Sequence, residues 1–140
     1  MVGFDLDTLD VQAEEVLHKV TVIADIDGND KCGFYVASKN SPGYQEATRQ
    51  VRIDALKRSS KRKSALDTTT DEGAGVVAKI IEGNETTLAC AAIKGWFGFQ
   101  SGGVDAPFNK AAVVKMLTKF PTWKDKVTAA LDNESNFLKG

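Results

Sequence analysis

The residue types that usually carry chemistry are sparse in this chain and poorly placed for it. The only histidine, His18, stands between Leu17 and Lys19 with no second base or ligand close by. That setting suits a structural position better than acid–base work. Cys32 and Cys90 occupy unrelated contexts and read as two free thiols, not as a disulfide framework. There is no nucleophile elbow, no glycine-rich phosphate loop and no Cys/His cluster at zinc spacing. Gly73-Ala74-Gly75 lacks the lysine and the preceding strand that a phosphate cradle requires. Asp25, Asp27 and Asn29 resemble the opening of a calcium loop. Counted from Asp25, however, the sixth residue is Asp30 where glycine is required, and the twelfth is Val36 where glutamate is required. A hairpin turn accounts for the same residues. The chain therefore reads as non-enzymatic, with no cofactor and no metal.

Two surfaces are better suited to binding. The run KRSSKRK at 57–63 holds five basic residues in seven, enough for an acidic partner surface or for nucleic acid. Such a run equally suits a solvated helix end, where cations oppose the negative pole of the dipole. No aromatic residue interleaves it, so stacking on single-stranded bases has no support. A net charge of −1 and a pI near 5.8 argue against nucleic acid and a membrane as partners. The second surface is aromatic. Trp96, Phe97, Phe99, Phe108, Phe120, Trp123 and Phe137 all fall in the last 45 residues. Most belong to a core, but WFGF at 96–99 beside a glycine-rich stretch is more aromatic surface than a connector needs.

The elements that position these residues follow from periodicity. At 140 residues, with 42% hydrophobic and 26% charged residues, the chain is one ordinary globular domain. Residues 1–17 form an acidic lead-in, which could also face the basic run in the same or a neighbouring copy. Residues 19–38 hold two β-branched and aromatic runs around Asp27-Gly28-Asn29-Asp30, which predicts a β-hairpin. A helical middle spans 44–96. Its first helix, over 44–64, shows an apolar stripe at Ala47, Val51 and Ala55 or Leu56. Thr70 before Asp71 and Glu72 predicts the start of the next. Val76, Val77, Ile80, Ile81, Leu88, Ala92 and Trp96 then keep a helical period, with a kink or break at Gly83-Asn84, a Gly-Asn hairpin being the alternative. Residues 95–106 read as a loop ending at Pro107. Residues 107–138 read as two helices, one capped by Asn109 and stopped by Pro121, the other capped by Thr122. The expected fold is α+β, an N-terminal β-hairpin packed on four to five helices. A two-stranded hairpin is marginal alone, so it must pack on those helices or pair with another chain.

No apolar run approaches the length that spans a bilayer, and the N-terminus is acidic where a signal peptide is basic and then apolar. A cytoplasmic protein is expected.

The order of features resembles that of the tail assembly chaperones of tailed phages and prophages. The resemblance rests on FDLDTL at 4–9, the turn at Asp27-Gly28, AAIKGW at 91–96, Gly102-Gly103, Pro107-Phe108-Asn109, LTKFP at 117–121 and Asn136-Phe137-Leu138. It implies a binding protein in the cytoplasm of the bacterial host, whose client is the tape measure protein, with the tail tube protein and a homo-oligomer as further partners. Within that reading Trp96, Phe97, Phe99 and Phe108 form the contact surface, and Arg58, Lys61 and Arg62 a second, electrostatic one. A sheet edge open to self-association fits the same picture. Competing readings are a minor tail or head–tail joining protein of the virion, and a small nucleic-acid-binding regulator.

Overall fold

The computed structural model describes residues 16–61 and 67–137. Most of the acidic lead-in, Arg62, Lys63 and Leu138 therefore lie outside the described residues. The fold is α+β. Strands β1 (His18–Ala24) and β2 (Asp30–Val36) form the expected antiparallel hairpin. Helix α1 (Pro42–Lys61) and helix α2 (Asp71–Ala92) follow, and α2 runs directly into β3 (Ile93–Phe97), which pairs antiparallel with β2. A short ribbon of β4 (Gln100–Ser101) and β5 (Val104–Asp105) leads to α3 (Lys110–Lys119), α4 (Pro121–Asp132) and a closing 3-10 helix, Glu134–Phe137.

The hairpin turn is built by Asp25. Its Oδ1 accepts from the backbone N–H of Asp27 and of Asn29, both at 2.9 Å, and Gly28 supplies the positive φ of 85°. The carboxylate that opened the calcium-like pattern is thus engaged in its own turn. Val20 and Val22 on β1, and Cys32, Phe34 and Val36 on β2, point to the helices and are buried. Ile23 continues the outward side of this alternation and is exposed; register shifts flank it, and the pattern ends at Ala24, which is exposed as well.

Four expectations need correction. The sheet has three strands in the order β1-β2-β3, because the stretch read as the end of a helix and a loop contains β3. Gly95, Trp96 and Phe97 satisfy a strand as well as a helix, and the partner that decides is β2, some sixty residues upstream. Helix α2 is continuous through Gly83, with no break and no hairpin. A lone glycine weakens a helix by about 1 kcal/mol but does not terminate it. Helix α4 begins at Phe120 as cap with Pro121 at its first turn, so Thr122 is not the cap; proline fits there because its missing N–H has no helical acceptor anyway. Finally, the stripe on α1 is at most half-buried. Ala47 and Val51 are partly covered, whereas Ala55 and Leu56 are exposed, and α1 buries no residue fully.

The starts of α2 and α3 agree with expectation. Thr70 Oγ1 accepts from Gly73 N at 3.0 Å, and Asn109 Oδ1 accepts from Ala111 N at 2.8 Å and Ala112 N at 3.3 Å. The core lies between the inner sheet face and helices α2, α3 and α4. Phe34, Val36, Ile93, Val113, Leu117 and Val127 are its largest fully buried side chains. No described helix is long and apolar enough to cross a membrane.

Candidate functional site

The aromatic residues of the C-terminal block are organised by β3 and by the chain that folds back over it. Successive strand residues face opposite sides, so Trp96 and Phe97 part company. Trp96 lies on the helix side, its ring 5.3 Å from Phe99 and 5.2 Å from Phe108, both edge-on. Phe99 in turn reaches Phe34 at 5.4 Å and Trp123 at 6.0 Å, and Phe120 stacks on Trp123 at 4.3 Å. This chain of rings runs from the sheet to α4, and Trp96, Phe99 and Trp123 are packed against the core. Phe97 points to the outer face, 5.5 Å from Tyr35, with Lys19 Nζ 4.5 Å above its ring. A side chain at residue 33 would collide there: a Cβ on Gly33 would lie 2.9 Å from Phe97 Cζ and 2.0 Å from Val20 O.

Despite that division, Trp96, Phe97, Phe99 and Phe108 line a single open groove of about 300 Å³, completed by Gly95, Gly98, Asp105 and Ala106. Its shape is fixed by polar contacts. Trp96 Nε1 donates to Ala106 O at 2.9 Å, and Ala106 N donates to Phe99 O at 2.9 Å. Gly98 takes φ of 78° so that the chain can reverse against β2. Phe108 forms the exposed lip, with 38% of its surface accessible. The groove is mixed, apolar walls with backbone carbonyls and the Asp105 carboxylate at the rim.

Lys110 reaches the start of β3. The Lys110 ammonium donates to Ile93 O at 2.6 Å and also to Cys90 O, capping the C-terminus of α2 where β3 begins. Burial holds the pKa of Lys110 below the usual lysine value, with repulsion from Lys94 adding to it. Sequence reading missed Lys110 altogether. Its signal, a lysine after Asn109, is indistinguishable from any other basic residue in a first helical turn.

The electrostatic half of the expected site stands elsewhere. Gly43, at the start of α1, lies beside Ala91 and Lys94, near the origin of β3. Arg58 and Lys61 are some fifteen to eighteen residues further along, about 25 Å at the helical rise. Arg58 is half-buried and Lys61 exposed; Arg62 lies outside the described residues. The structure therefore brings the four aromatic residues together and leaves Arg58 and Lys61 apart from them.

The residues that could have been nucleophiles or bases are committed to packing. His18 meets Phe137 edge-on at 6.0 Å. Cys32 and Cys90 are buried, and burial pushes both thiols up from their usual pKa. Compared with family models, curated proteins and solved structures, the chain matches none of them.

Proposed function

We propose that this chain is a non-catalytic binding protein, and specifically a tail assembly chaperone of a tailed bacteriophage. In that role it holds the tape measure protein soluble in the host cytoplasm until tail tube subunits polymerise round it. The observation that carries the reading is the groove of Trp96, Phe97, Phe99 and Phe108, an open aromatic concavity beside a glycine-rich ribbon. Aromatic walls with an exposed lip suit the apolar face of a client helix, which is what an aggregation-prone helical protein offers. Many copies along one extended client would add weak contacts into a durable complex that tube subunits can still displace.

The test is co-expression with a tape measure protein, the long helical client that this reading assigns. The reading expects co-purification and a soluble client, both lost with Phe108→Asp, while the melting temperature of the variant stays close to that of the parent because Phe108 is a lip residue. Stoichiometric presence of this chain in purified virions would replace the chaperone reading with that of a structural virion protein.

A further inference from the structure

Helices α1 and α2 form an antiparallel pair in which Gly43 lies beside the Ala91 carbonyl. Counted outward from that contact at equal rise per residue, Arg49 stands level with Glu85, Arg52 with Glu82, and Leu56 with Ala78. The helical repeat places Arg49, Arg52 and Leu56 on one face of α1, and Ala74, Ala78, Ile81 and Glu85 on one face of α2. All seven are exposed, Leu56 to 67% and Ile81 to 50%. Half-buried Ala47 and Val51 on α1 and Ile80 on α2 lie away from this face, while half-buried Ile53 and Val77 border it.

The two helices also carry opposite charge. Helix α1 has five basic and two acidic residues, and α2 has four acidic and one basic. Among the described residues no ion pair joins them: Arg49 turns back to Glu46, and Glu85 uses one oxygen for Lys124 at 3.3 Å.

We propose that this face binds a second copy of the chain, the two α1–α2 hairpins closing into a four-helix bundle about a two-fold axis parallel to them. The axis keeps every level, so α1 of each copy meets α2 of the other and each contact occurs twice. Arg49 then faces Glu85 of the other copy, and Leu56 seats over the small side chains at Ala74 and Ala78, beside Ile81. Helices of like charge fall on the diagonals of the bundle, where their separation is greatest. The inference needs only the purified chain and does not rest on the chaperone reading.

Sedimentation equilibrium of the full chain across a wide concentration range tests it. The expected result is a reversible species of twice the 15.1 kDa chain mass. Leu56→Glu or Ile81→Glu should weaken association about 30-fold or more, with far-ultraviolet circular dichroism unchanged because both positions are exposed. Arg49→Glu and Glu85→Arg should each weaken it about tenfold, and together in one chain should recover most of that loss. A monomer at every concentration, self-association indifferent to Leu56→Glu and Ile81→Glu, or charge reversals that merely add would each overturn the proposal.

Discussion

Gly98 makes a demand that no other residue type can meet. Its φ is 78°, and a Cβ there would lie 1.9 Å from Lys31 O and 2.8 Å from Cys32 Cα. Gly98→Ala should therefore destabilise the protein by about 2 kcal/mol or more, read as a lowered urea midpoint, since strain and collision act together. The two thiols set a second residue-scale expectation. Cys32 and Cys90 are buried with raised pKa values, so a thiol reagent should modify neither at neutral pH until denaturant is added. Rapid labelling of native protein would contradict the packing described. WFGF announced itself in sequence by aromatic density. The Trp96–Ala106 hydrogen bond that shapes its groove did not, because an indole N–H names no partner until the chain has turned.

At the scale of elements, glycines in one helix divide by what surrounds them. Gly73 is required, since its Cβ would lie 1.9 Å from Asp67 O, whereas Gly75 and Gly83 face open space. Gly83→Ala and Gly75→Ala should each stabilise the protein by about 0.5–1 kcal/mol, and Gly73→Ala should destabilise it, measured by thermal or urea unfolding. Capping gives a companion expectation: Asn109→Ala should cost about 1 kcal/mol by leaving the Ala111 and Ala112 N–H groups without their acceptor. These helices were legible because caps and periods are local signals. Thr70 and Asn109 mark starts within a few residues of the period they open. Strand β3 was not legible, since the apolar spacing at Leu88, Ala92 and Trp96 carries the period of α2 into it, and the deciding contact with β2 is remote in sequence. The helix stripe on α1 was legible, but its half-burial was not, because nothing local tells a sequence that a third layer is missing.

For the whole molecule, stability should depend on pH at both extremes. The Lys19 ammonium holds the Asp30 carboxyl below its ordinary value of 3.8, and the Thr69 hydroxyl and N–H do the same for Asp67. These contributions are complete above pH 3.8 and are lost as pH falls through the lower folded values. At the alkaline end two lysines oppose each other. Asp132 raises Lys39 above 10.5, so its contribution holds below that value and is lost as pH rises through the folded one. Lys110 is lowered by burial, so the protein gains stability as pH rises from its folded value toward 10.5. Lys110→Met should remove a gain in melting temperature that lies below pH 10.5, while the losses above pH 9.0 from the raised Cys32 and Cys90 thiols and above pH 10.5 from Lys39 should remain. Asp30→Asn and Asp67→Asn should each remove part of the acid loss, and an acid profile unchanged by both would contradict the assignments.

The direct passage from α2 into β3 has a kinetic consequence. Val36 and Ile93 are partners in the sheet, and Ala37 N donates to Ala92 O at 2.8 Å, so the chain leaves and re-enters the sheet at one point. Everything between is a closed excursion, and the third strand can be added only after the excursion has folded up enough to bring its ends together. Loop-closure entropy grows only logarithmically with length, so trimming whole turns from the far end of both helices should barely change the cost of closure. Folding should be governed instead by how quickly the two helices zip, with the local β1–β2 hairpin formed first and waiting for its neighbour.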